Sequence, residues 1–125
     1  MSTKITRNLP NSAFSAALLS ATVSSMASAG ATLTVDADTT GTIVITAQDA
    51  GLTIALPTGS PVEGQKLIIR IKDDGTARSI AYNAIFRAVG ITLPTTTVVN
   101  KVLYLGYMFN SAETKWDVVS VVQEA

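Results

Sequence analysis

From Ala31 onward the sequence is a succession of short runs rich in Val, Ile and Thr, separated by Gly, Pro, Asp and Asn. Helical periodicity is absent from this stretch. The pattern predicts an all-β fold, an antiparallel β-sandwich of jelly-roll-like type, because β-branched residues suit a pleated surface and turn residues end each run. Extended segments are expected at Thr32 to Val35, Thr42 to Thr46, Leu52 to Leu56, Lys66 to Lys72 and Ala77 to Ala81. Further ones are expected at Ile85 to Leu93, Thr95 to Val99, Lys101 to Phe109 and Lys115 to Val122. No repeat of solenoid length is visible.

Two of these runs carry most of the information. Lys66 to Lys72 alternates Leu67, Ile69 and Ile71 with Lys66, Ile68, Arg70 and Lys72, which directs one face to the core and leaves positive charge on the other. Asp73-Asp74-Gly75-Thr76 reads as a tight hairpin, with Gly75 suited to positive φ, whose return brings Arg78 beside the same polar face. Lys101 to Phe109 places Val102, Tyr104, Gly106 and Met108 on one side and Leu103, Leu105, Tyr107 and Phe109 on the other. With both sides apolar, this strand is either central in a two-layer core or covered on one face by another chain. Tyr107 and Phe109 are its candidate interface residues.

Residues 1–30 differ in character and form an expected N-terminal arm, extended or partly helical, ahead of a β-sandwich domain over 31–125. Asn11 or Ser12 can cap a short helix over Ala13 to Leu19. Such a segment is not stable alone in water and needs a neighbour, for which Phe14, Leu18 and Leu19 are the candidate anchors. The same segment imitates an export signal. Lys4 and Arg7 precede a mildly apolar run, and Ala27-Ser28-Ala29 stands before Gly30, but Ser12, Ser15, Ser20, Ser24 and Ser25 break the run. It is too short to span a membrane.

Composition narrows the function classes. The 125 residues suffice for one domain and an arm. Nine basic and nine acidic residues cancel, so binding to nucleic acid or to an anionic membrane is not expected. Charged residues are 14% of the chain, against roughly 25% in an ordinary domain. The surface must be unusually neutral, as in a subunit largely covered by other subunits. The chain has no His and no Cys, which removes Ser-His-Asp and Cys-His nucleophiles, thiolate and imidazole metal sites and disulfides. No enzymatic activity, cofactor or metal is therefore expected. Asp36 with Asp38, and Asp73 with Asp74, are the remaining carboxylate pairs, and both sit where Asp commonly bonds its own backbone. Trp116, Tyr82, Tyr104, Tyr107 and Phe109 could line a sugar-binding surface, though packing in a core or between subunits is the commoner use of such side chains.

The zero net charge hides an asymmetry. Residues 31–65 carry Asp36, Asp38, Asp49 and Glu63 and no basic residue, whereas Lys66, Arg70, Lys72, Arg78 and Arg87 follow within a short span. Lys66, Arg70, Lys72 and Arg78 are candidate interface residues. Head-to-tail contacts between copies, or an acidic partner, would exploit the asymmetry; the plainer reading is a solvated strand face with cross-strand pairs.

Three ordered blocks carry a resemblance. Gly64 to Arg78 (GQKLIIRIKDDGTAR), Phe86 to Pro94 (FRAVGITLP) and Lys115 to Val119 (KWDVV) resemble a small β-domain of tailed-bacteriophage virion proteins, found in tail fibres, head fibres and capsid decoration proteins. The match covers about residues 38–125 and leaves the arm outside. The resemblance implies a structural or adhesive β-sandwich without enzymatic activity, commonly assembled as a homotrimer on a virion. No binding residue transfers with it. The expected function is that of a capsid decoration (cement) protein on the virion surface, partnered by the major capsid protein or other virion proteins, since so short a chain has little room for a fibre shaft. The alternatives are a tail- or head-fibre module recognising host surface polysaccharide and, if the N-terminus is an export signal, a secreted carbohydrate-binding domain.

Overall fold

The computed structural model describes residues 23–125. Phe14, Leu18 and Leu19, with the expected arm helix, lie outside the described residues. Among the described residues there are nine strands and no helix, so the chain is all-β. They are β1 (Val23–Met26), β2 (Thr32–Leu33), β3 (Thr42–Gln48), β4 (Leu52–Ile54), β5 (Lys66–Asp73), β6 (Ile80–Tyr82), β7 (Phe86–Ala88), β8 (Leu103–Asn110) and β9 (Lys115–Gln123). β1 lies within the stretch assigned to the arm, so regular structure begins before Ala31.

The strands form a six-stranded sheet ordered β1-β3-β5-β8-β9-β7 and a three-stranded sheet ordered β2-β4-β6. The expectation of antiparallel, jelly-roll-like pairing is corrected here. The pairs β1·β3, β3·β5, β2·β4, β4·β6 and β7·β9 are parallel, and only β5·β8 and β8·β9 are antiparallel. The turn at 110–114 joins β8 to β9 as a true hairpin, but the earlier turns that resemble hairpin turns in sequence send the chain to the other sheet instead of back along the same strand. From β1 to β6 the chain alternates between sheets, and each pass adds one parallel strand to each. A parallel neighbour requires a crossover; here a strand of the opposite sheet supplies it. Successive passes are offset by 19 residues at Val23↔Thr42 and by 26 at Thr42↔Ile68. These unequal lengths are why coiled winding leaves no fixed sequence period.

Inward side chains from both sheets join one core. Ile43 and Ile45 of β3, Leu67, Ile69 and Ile71 of β5, and Leu103, Leu105, Tyr107 and Phe109 of β8 meet Leu33, Leu52, Ile54 and Ile80 from the smaller sheet. Burying each such side chain contributes about 1.5–3 kcal/mol. Phe109 packs edge-on to Trp116, with ring centroids 5.1 Å apart.

A register shift between Ile45 and Gln48 interrupts the alternation of β3 and turns Gln48 inward, where it is fully buried. Its amide is satisfied at every position. Nε2 donates to Gly30 O at 2.7 Å and Ala50 O at 2.9 Å, while Oε1 accepts from Ala29 N at 3.0 Å and Ser28 Oγ at 3.3 Å. This one side chain clamps the β1–β2 connection to the β3–β4 connection. Gly75, at φ 103°, occupies the left-handed region that its turn requires. That turn leads to the smaller sheet, so the expected hairpin between β5 and its return does not form.

Candidate functional site

The alternation of β5 leaves Lys66, Ile68, Arg70 and Lys72 on the outer face of the large sheet. Pairing with β8 sets Ile68 beside Gly106, Arg70 beside Tyr104 and Lys66 beside Met108. On β9, Val122 faces Tyr104 and Ser120 faces Gly106, and a register shift after Gly106 inserts Val119 as an extra outward residue. A bulge of this kind leaves its extra residue unpaired, bends the strand locally and re-aims a side chain.

The result is an apolar groove of about 320 Å³, lined chiefly by Ile68, Tyr104, Met108, Val119 and Val122, with Lys66 and Ser120 contributing polar groups. Gly106 forms its floor. A Cβ there would stand 2.6 Å from Ser120 Oγ, so the dip exists because both facing residues are small. Ile68, Tyr104, Val119 and Val122 are 41, 40, 53 and 56% exposed, a concentration of surface apolar area on one sheet face.

The charge at its border is positive. The Arg70 guanidinium lies 5.9 Å from the Tyr104 ring centroid and donates to the Tyr104 hydroxyl at 3.3 Å. Among the described residues, no carboxylate lies within ion-pair distance of Lys66, Arg70 or Lys72.

The expected five-cation cluster is therefore divided. Arg78 lies away from the β5 face and forms a forked pair with Asp74, with contacts of 2.7–3.1 Å. Arg87, on β7, donates to Asp117 at 2.7 and 2.9 Å and to Glu113 at 3.1 Å. Hydrogen bonds from these guanidiniums hold Asp74 and Asp117 below the usual carboxylate range. The carboxylates of the acidic turns accept backbone bonds, some from their own turn and some from remote loops. Asp36 accepts from Asp38 N, Asp38 from Ser60 N, and Asp73 from Gly75 N.

Tyr107 and Phe109, expected at an interface, are core residues at 1 and 6% exposure, because the inward register of β8 belongs to them. The apolar face open to a partner is the opposite one, bearing Tyr104 and Met108. Of the aromatics considered for sugar binding, Trp116 is also buried, and Tyr82 is half-buried with its hydroxyl donating to Pro94 O. Tyr104 alone among them is exposed. Sequence reasoning singled out the strand but missed Val119, Ser120 and Val122, whose outward placement depends on the bulge. The doubly apolar character of Lys101 to Phe109 was the available signal. Comparison with protein-family models, with curated proteins and with solved structures found no match to this chain.

Proposed function

We propose that the chain is a structural protein of a tailed-bacteriophage virion, a capsid decoration protein that acts as cement on the head surface. In this reading the two sheets close on their common core as a β-sandwich, the subunits assemble as a homotrimer, and the partner is the major capsid protein. The observation that carries the reading is the outer face of β5, β8 and β9: an open apolar groove bordered by cations that have no carboxylate partner among the described residues. Chemistry of this kind suits a protein surface, which supplies apolar side chains and carboxylates together. The resemblance of the three sequence blocks to phage virion domains supports the same class.

The mechanism is added contact area. A protein that binds the assembled shell and not its dissociated subunits stabilises the shell by mass action, without chemistry. Capsids stripped of the chain should burst at lower temperature, and adding back purified chain should restore their resistance. Equal resistance with and without the chain would sink the cement reading. Retention of the purified chain on host cells, and not on capsids, would instead favour the polysaccharide-binding fibre module.

A further inference from the structure

The basic groove has a chemical complement on the same molecule. Residues 34–40 and 55–64 form the two connections that lead into β3 and β5, and they are bonded to each other. Ala37 N donates to Thr58 O at 2.9 Å, Thr58 N to Val35 O at 2.8 Å, and Ser60 N to Asp38 Oδ1 at 2.9 Å. Gln65 Nε2 adds a bond of 2.6 Å to Ala37 O. This joined surface exposes Asp36, Asp38 and Glu63 beside two large apolar side chains, Leu56 at 53% and Val62 at 65% exposure. It carries no basic residue, since none occurs between residues 31 and 65.

We infer that the groove on β5, β8 and β9 of one copy receives the acidic-apolar loop surface of a second copy, in a head-to-tail interface. Lys66, Arg70 and Lys72 meet the carboxylates, while Leu56 and Val62 supply the apolar side chains that the groove over Gly106 accommodates. Other occupants fit less well. Two grooves placed face to face would oppose the same three cations, and like charges brought together across an interface repel. Residues 1–22 carry Lys4 and Arg7 and no acidic residue, so they have the wrong sign. The loops stand at the sheet end where β3 and β5 begin and the groove lies on the sheet face, so one copy can use both surfaces at once. Contact between two different surfaces is heterologous and closes into a ring when the rotation permits.

The inference rests on the reading of this face as a protein-contact surface and assigns that contact to a second copy, which leaves the capsid to be met by other surfaces of the oligomer. Sedimentation of the full chain at low and high salt tests it. The expected result is a discrete oligomer that weakens as salt rises, as opposite charges at an interface require. A groove variant, Lys66→Glu with Arg70→Glu, and a loop variant, Leu56→Lys with Val62→Lys, should each raise the dissociation constant at least about tenfold while circular dichroism is unchanged. A monomeric wild type, or an oligomer indifferent to both variants, would overturn the inference. Binding of the chain to capsids is measured separately, so a failed interface and a failed cement reading give different results.

Discussion

The Thr97 hydroxyl donates a 2.7 Å hydrogen bond to Asp73 Oδ2, with both residues buried. Oδ1 of the same carboxylate accepts from Asn100 N at 2.9 Å and Gly75 N at 3.1 Å, and Thr97 Oγ1 accepts from Arg78 N at 2.9 Å. One side chain thus fastens the end of β5, the turn that leaves it and the loop that precedes β8.

Removing that carboxylate strands three donors at once. Asp73→Ala should lower unfolding free energy by about 3 kcal/mol, the scale of buried hydrogen bonds to a charged group. Thr97→Ser keeps the hydroxyl and should lower it by less than about 1.5 kcal/mol. Urea unfolding of both variants decides; a loss under about 1 kcal/mol for Asp73→Ala would show that the tie is dispensable.

Acid should destabilise the protein, and neutral pH should leave it indifferent. Burial, the largest influence on Asp73, raises its pKa, but its three hydrogen bonds together hold it below 3.8. Asp117 is held below the same value mainly by Arg87, and Glu63 below 4.5 by the backbone and hydroxyl of Ser111. Folded values below the unfolded ones contribute stability that is fully present above the unfolded pKa and lost as pH falls through the folded one. With no His in the chain, no side chain ordinarily titrates between about pH 6 and 8. Urea midpoints should be flat across that interval and decline below about pH 4.

Gln48 offers the opposite pH response by design. Gln48→Glu would set carboxylate oxygens against Gly30 O and Ala50 O, where the amide now donates. At pH 7 the loss should be about 3 kcal/mol or more, because two partly buried carbonyls lose their donor and a charge is buried without a cation beside it. Protonating the new carboxyl restores one donor, so the variant should regain stability relative to wild type as pH falls. A midpoint difference constant from pH 7 to 4 would contradict the clamp.

Tyr107 carries a hydroxyl that its position does not need. The ring is buried against Phe86, at 4.9 Å between centroids, while the hydroxyl has no hydrogen-bond partner. Desolvation, with a smaller effect from Tyr82, pushes its pKa up, so the neutral phenol persists in the fold. Tyr107→Phe keeps the ring packing and should stabilise the protein by about 1 kcal/mol. A clear loss in thermal unfolding would reveal a role for the hydroxyl.

Strand positions were legible because the signals are local. The alternation in Lys66 to Lys72, the turn residues at 73–76 and 110–114, and the β-branched run at Thr42 to Thr46 each act within a few residues of chain. Thr95 to Val99 has the composition of an extended run, yet only the isolated bridge Ser79↔Thr96 forms there. Its side chains serve other ends, as Thr97 does for Asp73.

What the sequence by itself determined is the all-β class, the separation of basic and acidic stretches, and the inward set of β5. These follow from side-chain chemistry at fixed periods. The tertiary structure alone decided that successive passes pair in parallel, because backbone hydrogen bonds carry no side-chain signature and the connections differ in length. It alone chose between the two apolar sides of β8, sending Tyr107 inward and Tyr104 outward through register with β5 and β9. It also parted Arg78 and Arg87 from the three cations of β5, since which charges meet depends on where remote carboxylates are brought.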